Sequence, residues 1–408
     1  MINAKFYKPR VFPWASTRAP EQINRAQDIG GDWTANREKV NEIGRELAVG
    51  YIRKTPALAW TMTQDEYGSM AFWRSLGNKA EPVSGANHYL TLDDFKMNVT
   101  EMAAFVTDDS NVFEGTMWFP KLRVNGFSIN ISAPDAILQR KFDLVGEDFL
   151  MLPEKYFSYA TGTATNSGSA SFDVTLSPIA IQWALNKYIF RVLRLRSGVV
   201  TEIIEDETLT LNDTYSYSNS THKVTVKDCT NGDVIKVFYP SDTIYTTVWT
   251  DDDADPVALT AEMCEISMKV GTSDRIYRLQ SVGIDTKFTR TDYREIGNSE
   301  MVQFGVKDTV VTISLDRYLE NFSLEKILAG DPSYPFINPR DFVENIQLQV
   351  KVFEEKEHIN FKQGYLITKI TPTNLGNAQA QQDYGKMTTK LESDNLLISD
   401  LESEVAFA

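Results

Sequence analysis

A chain that carries the same run twice must bury two like surfaces, which constrains its architecture more than any single motif does. Here Glu42-Ile43-Gly44 aligns with Glu295-Ile296-Gly297. Continued without a gap, the alignment pairs Val49 with Val302, Tyr51 with Phe304, Lys54 with Lys307, Trp60 with Ile313, Met62 with Leu315 and Gly77 with Gly330. A second block recurs in the same order. Gly126-Phe127-Ser128-Ile129, followed by Pro134, matches Gly364-Tyr365-Leu366-Ile367, followed by Pro372. Gly146-Glu147-Asp148-Phe149-Leu150 then faces Glu392-Ser393-Asp394-Asn395-Leu396. The spacing between blocks is about fifteen residues longer in the first copy, which assigns the extra length to a loop over Lys79–Gly115, read as a contact arm.

The repeated unit reads as mainly β. Leu58, Trp60 and Met62 alternate with Ala59, Thr61 and Thr63, and Val311, Ile313 and Leu315 alternate with Thr312, Ser314 and Asp316, the period of a strand with one apolar face. Each of these strands is followed by a short helix closed by glycine, over Gly68–Leu76 before Gly77 and over Phe322–Ala329 before Gly330. Asn125-Gly126 and Asn231-Gly232 each join two strand-like runs and predict two-residue hairpins. Ser177-Pro178 opens the apolar run Ile179–Leu193 and predicts a helix there. Between the copies, short strand-like runs in Ser197–Glu265 read as a small inserted β domain, and acidic Asp400–Ala408 is expected to order only on a partner. The division is 1–196 for the first unit, 197–265 for the insert and 266–408 for the second unit.

Composition removes several functions. Lys and Arg number 41 against 56 Asp and Glu, a net charge of −15, which argues against gripping nucleic acid by bulk attraction. Apolar runs are broken well short of the roughly 18 uncharged residues a membrane helix needs, and charge and proline stand where a signal peptide has its apolar core. Only Cys229 and Cys264 are present, too few for a disulfide scaffold or a thiolate zinc site, so reduced thiols are expected. His88, His222 and His358 lie far apart, and Glu354-Glu355-Lys356-Glu357-His358 lacks the two-histidine spacing of a zinc protease. Asp251-Asp252-Asp253-Ala254-Asp255 lacks the central glycine and distal glutamate of a calcium loop. With no phosphate loop and no nucleophile elbow, neither an enzyme nor a cofactor site is expected.

The stretches from Arg37-Glu38-Lys39-Val40-Asn41-Glu42-Ile43-Gly44 to Gly68–Gly77, and from Asp292-Tyr293-Arg294-Glu295-Ile296-Gly297 to Phe322–Gly330, resemble the strand, helix and connecting loop of a major tail tube protein of a tailed bacteriophage. With the glycine blocks, the resemblance covers about half the chain. It implies two tandem β-sandwich or barrel domains, each flanked by a short helix, where most members of that family have one. Six such domains make a ring whose inner strands join into one barrel, so three copies of this chain would make a pseudo-sixfold ring, and rings would stack into a tube. The implied partners are other copies of the chain, the tape measure protein, tail terminator or baseplate proteins, and a sheath if the tail contracts. DNA would pass through without specific binding, no membrane would be involved, and the place of action would be the tail of the virion after assembly in the host cytoplasm.

On that reading Thr61, Thr63, Thr312, Ser314 and Asp316, on the polar strand faces, are expected to line the channel, and Lys79, Asp93, Asp94, Asp108 and Asp109 to lie on an inter-ring loop. The rival reading is a β-sandwich module that binds a receptor or carbohydrate. It predicts a clustered aromatic shelf, whereas Trp14, Trp33, Trp60, Trp73, Trp118, Trp183 and Trp249 are spread along the chain.

Overall fold

The structure, a computed structural model, describes residues 5–14, 20–23, 26–34, 37–40, 50–53, 57–66, 68–79, 82, 87–96, 98–108, 110, 112–133, 136–146, 148–165, 170–244, 258–270, 273–276, 279–293, 303–318, 322–329, 336–338, 340, 342–343, 346–378 and 385–407. It opens with β1 (Lys5–Pro13), β2 (Glu21–Gln22), β3 (Ala26–Thr34), β4 (Arg37–Val40), β5 (Gly50–Arg53), β6 (Ala57–Asp65) and helix α1 (Ala71–Leu76). There follow β7 (Leu90–Thr91), helix α2 (Leu92–Lys96), β8 (Thr100–Thr107), β9 (Phe113–Ser132), β10 (Gln139–Gly146) and β11 (Leu150–Pro153). The middle of the chain holds β12 (Tyr156–Thr163), β13 (Ala170–Thr175), β14 (Arg191–Arg196), β15 (Val199–Glu205), β16 (Thr214–Ser218), β17 (Lys223–Cys229) and β18 (Val234–Ser241). The remainder is β19 (Cys264–Val270), β20 (Ser273–Ile276), β21 (Ser281–Tyr293), β22 (Gln303–Tyr318), helix α3 (Ser323–Leu328), β23 (Ile346–Phe353), β24 (Phe361–Ala378), β25 (Lys386–Ser393) and β26 (Asn395–Ser399).

Eight strands form one antiparallel inner sheet in the order β3-β6-β10-β9-β21-β22-β25-β24. Two outer sheets lie over it, β2-β1-β8-β9-β11 and β20-β19-β23-β24-β26-β7. The 20-residue β9 and 18-residue β24 exceed the usual 3–10 residues because each runs through both layers, its first half in an outer sheet and its second half in the inner one. Between the layers lies a single core. Trp60, Met62, Ile313 and Leu315 reach it from β6 and β22, as strand alternation requires. Phe72 and Trp73 of α1 meet Phe142 edge-on at 4.9 Å, and each fully buried side chain of this size contributes about 1.5–3 kcal/mol.

The two halves repeat strand by strand. Gly31 pairs with Trp60 and Ile29 with Met62 in the first; Ile284 pairs with Ile313 and Val282 with Leu315 in the second. Beyond a one-residue shift at the same place, Arg37 faces Arg53 as Arg290 faces Val306. The first repeat block therefore holds in register. The second does not: Val124 facing Leu144 corresponds to Pro372 facing Leu391, so Gly126 matches Asn374, and Gly364 lies ten residues earlier in the outer half of β24. Leu150 correspondingly matches Leu397, one residue beyond the match drawn from sequence.

Several local expectations are corrected. Asn125-Gly126 makes no hairpin; β9 continues through it, with a bulge opposite Asp143 and Leu144, because β10 and β21 hold the strand from both sides. Ile179–Leu193 is not a helix. It ends within Arg191–Arg196, a strand buried on both faces that pairs with β15 and β18, while Trp183 and Lys187 close a turn before it. Lys79–Gly115 is not a loop, since β7, α2 and the almost wholly buried β8 lie within it. The helices before Gly77 and Gly330 stand where expected. Asn231-Gly232 forms a turn, with Gly232 at φ +88°, but no hairpin: β17 pairs with β13 and β16 and β18 with β12 and β14, and the turn is held instead by Ala164, which exchanges backbone hydrogen bonds with Gly232 and Asp233. The acidic C-terminus is ordered on the chain itself, for Gln349 Nε2 donates to the Val405 carbonyl at 2.6 Å.

A separate seven-stranded sheet runs β12-β18-β14-β15-β16-β17-β13, so three of its strands precede residue 197. It curls around its own core of Val192, Val224, Val226, Ile235 and Val237. Its other face packs Phe157, Leu193 and Phe238 on Phe12, Ala103 and Trp118 of the first unit. Arg191 pins this junction, lying 5.3 Å from the Trp14 ring, 5.9 Å from the Trp118 ring and 3.2 Å from Glu101, whose Oε1 also accepts the Trp14 indole N–H at 2.8 Å. Complete burial pushes the Glu101 carboxyl from its ordinary 4.5 up to about 7, against the pull of Arg191. A carboxyl raised in the fold destabilises only where it is charged. The penalty is absent below the unfolded value, grows as pH rises and is complete above the folded one. Glu101→Gln is expected to raise the urea midpoint relative to the parent chain at about pH 8 and to leave it unchanged near pH 4.

Candidate assembly interface

Sheet borders expose unpaired N–H and C=O groups, and the inner sheet treats its borders in two ways. Where the units meet, β9 pairs with β21 from Gly126 opposite Lys287 to Ser132 opposite Ser281. The outer borders are β3 and β24, which among the described residues carry no further inner-sheet strand on their free sides. By the register above, β24 is the counterpart of β9 and β3 that of β21. The two open borders are therefore the counterparts of the two strands that already meet.

The internal seam is close. A Cβ on Gly126 would stand 2.5 Å from the Thr286 carbonyl oxygen, so the strands approach to a distance only glycine allows. Gly126→Ala is expected to destabilise the chain by about 1–3 kcal/mol by forcing β9 from β21, measured as a lower urea midpoint.

The face of the inner sheet turned away from the core carries rows of small and charged side chains. One row runs Asp28, Thr63, Lys141, Ser128, Asp285, Thr312, Glu392 across seven strands; another runs Asp65, Gln139, Asn130, Gly283, Ser314, Lys390. Thr61 faces Asp143, and Asp316 accepts hydrogen bonds from Ser281 Oγ at 2.9 Å and Thr388 Oγ1 at 2.6 Å. Thus Thr61, Thr63, Thr312, Ser314 and Asp316 come together half-buried on one face. Acids outnumber lysines along these rows, and partial burial, reinforced by Asp143 and opposed by Lys141 and Lys287, raises the Asp285 carboxyl.

The residues expected on an inter-ring loop are dispersed. Asp94 accepts the Thr91 N–H at 2.8 Å and its hydroxyl at 3.1 Å, closing the start of α2, and Lys79 reaches Asp94 at 3.0 Å. Asp93 pairs with Lys96 at 2.6 Å. Asp108 ties the β8–β9 turn by accepting the N–H groups of Ser110 and Val112. Asp109 lies outside the described residues, as does the Asp251–Asp255 run.

Sequence reasoning missed Arg290, whose guanidinium donates from Nε to the Val124 carbonyl at 2.9 Å and from Nη1 to the Lys96 carbonyl at 2.8 Å, tying the second unit to the first. The repeat held the signal, because Arg37 occupies the matching position on β4. Among the described residues no group of three or more His, Cys, Asp or Glu side chains is placed to hold a metal ion, and no helix is long and apolar enough to cross a membrane.

No protein-family profile and no curated protein matches the sequence. Among solved structures, the chain is similar to a chain of the anti-feeding prophage baseplate, with a TM-score of 0.29 and 9% identity over 36% of this chain and 98% of that one. It is similar to a chain of the sheath-tube complex of an extracellular contractile injection system in the extended state, with a TM-score of 0.28 and 12% identity over 39% of this chain and 100% of that one. It is also similar to a chain of the anti-feeding prophage tube-terminating cap, with a TM-score of 0.29 and 16% identity over 39% and 100%.

Proposed function

We propose that this chain is a structural subunit that assembles with copies of itself into stacked rings forming the tail tube of a phage or phage-like particle. One observation carries the reading: the inner sheet is two like four-stranded units joined head to tail, and its free borders are the counterparts of the strands that already pair. Pairing β24 of one copy with β3 of the next repeats the internal seam without a new kind of contact. A head-to-tail contact of this type continues until rotation closes it. Three copies close six units, giving about 24 strands, more than the 16–18 that already enclose an aqueous channel. The chain then consists of two tube units, with the strands of 156–241 inserted between β11 and β19.

In the closed ring the polar face turns inward. DNA binds cationic walls by releasing counterions, whereas small and acidic side chains such as Thr312, Ser314 and Asp316 offer no such gain, and screening over about 8 Å confines the effect to the lining. Stacked rings would meet through the turns at their rims, with tape measure protein inside, terminator or baseplate proteins at the ends and a sheath outside in a contractile particle.

Transferring the register of the internal seam places Asp32 opposite Gly376 of the neighbour. The purified chain is expected to form hollow rods in negative stain, and the double variant Asp32→Cys, Gly376→Cys to give covalent trimers on oxidation, since facing strand residues lie within disulfide reach. Compact particles of fixed size under all conditions, with no crosslink, would instead support a discrete binding module.

A further inference from the structure

The first unit does not merely abut the second; it holds it with an arm. Between α1 and β8, β7 adds to the edge of β26, with Leu90 opposite Ile398 and Thr91 opposite Leu397. Helix α2 then lies against β22 and β26, and its Phe95 and Lys96 carbonyls accept from Arg290. Leu90 is 1% exposed and Phe95 is fully buried. The arm is fastened further by Arg74 and His88, which reach Asp400 at 2.7 and 3.1 Å.

The second unit has a like sequence between α3 and β23. Asp341, Phe342 and Asn345 match Asp94, Phe95 and Asn98 at the same spacing, which sets Phe336, Ile337 and Asn338 on Tyr89, Leu90 and Thr91. The burial differs sharply. Phe336 is 75% exposed where Tyr89 is half-buried, and Ile337 is half-buried where Leu90 is sealed beside β26.

A matching receiver exists on the first unit. β11 is the counterpart of β26, with Leu150 opposite Trp118 as Leu397 is opposite Leu366. Among the described residues no strand lies on its outer side, and Met151 is 65% exposed. Beside it opens a groove of about 280 Å³ lined by Trp33, Trp60 and Phe149, and it matches the place that α2 fills on the second unit. Arg37 stands on β4 where Arg290 stands on β21.

We infer that Phe336-Ile337-Asn338 of one copy adds as a short strand to the outer edge of β11 in the next copy, with Ile337 opposite Met151 and Asn338 opposite Leu150. The occupant is a second copy of this chain because the same contact is already made once inside it. This clasp rests on the proposed ring, since only head-to-tail joining of β24 to β3 brings the second arm to the next first unit. It is a separate bond, in the outer layer, and it fails separately.

The test uses the full chain in two double variants, Met151→Cys with Ile337→Cys for the clasp and Asp32→Cys with Gly376→Cys for the seam, each beside its single-cysteine controls. Oxidation is expected to give covalent trimers from both pairs and none from the controls. Trimers from the seam pair alone overturn the clasp and leave the ring standing; no crosslink from either pair, with a monomer in light scattering, overturns the ring and the clasp with it. Phe336→Asp provides a second measure. It is expected to raise the concentration needed for assembly about tenfold or more, the scale of one aromatic side chain left unburied, while the unfolding midpoint of the monomer stays unchanged. An unchanged assembly concentration overturns the clasp.

Discussion

The structure depends on how the borders of a β-sheet are satisfied. Each backbone N–H and C=O at a border needs a partner, and water is the only one available until another strand arrives. Here one border has been met by duplication. The last strand of the first inner unit, β9, and the first strand of the second, β21, pair through the middle of an eight-stranded sheet. That pairing fixes the spacing and orientation of the units, and it leaves two borders whose hydrogen-bonding pattern is that of the seam separated into its halves.

What the two copies conserve is the hydrogen-bond register and the alternation of burial, not the side chains. Beneath α1 a buried arginine, Arg140 of β10, donates to Gln64 of β6 at 2.9 Å and lies 3.1 Å from Glu66. Beneath α3 the arginine comes from the other strand: Arg317 of β22 contacts Glu325 of the helix and Met387 of β25. The positions correspond, Gln64 to Arg317 and Arg140 to Met387, so the cation has exchanged strands while its place under the helix has been kept. In both sites the charge is held against a carboxylate, as burial of an ion requires. In the first site Tyr365 of the second unit also approaches Glu66, at 3.5 Å, so this core helps join the units.

Much of this was legible in the sequence where a pattern had one physical meaning. Trp60 and Met62 against Ile313 and Leu315 could only be strand positions facing a core, and they gave the correct register. The Asn-Gly dipeptide had two meanings. At Asn231-Gly232, Gly232 takes a positive φ and turns the chain from β17 into β18, which do not pair, whereas at Asn125-Gly126 strands on both sides keep the backbone extended and the extra residue becomes a bulge. The ten-residue slip in the second block arose because β9 and β24 each cross two sheets, and both halves of such a strand alternate alike. The expected helix over Ile179–Leu193 gave weight to a proline and an apolar run, whereas the strand Arg191–Arg196 is buried on both faces and so carries no clear period to distinguish it from a buried helix. The polar face was readable residue by residue, but the arm was not, because its burial depends on a surface built some 300 residues away, as with Leu90 and Ile398.

The glycine at the internal seam has a mechanical consequence. Its counterpart on the free border is Asn374, whose Cβ stands where Gly126 has none. A cylinder made of these chains would thus alternate between tightly fused joints inside each polypeptide and slightly wider joints between polypeptides. Under strain it would crack along three longitudinal lines rather than six, and its fragments would be whole chains.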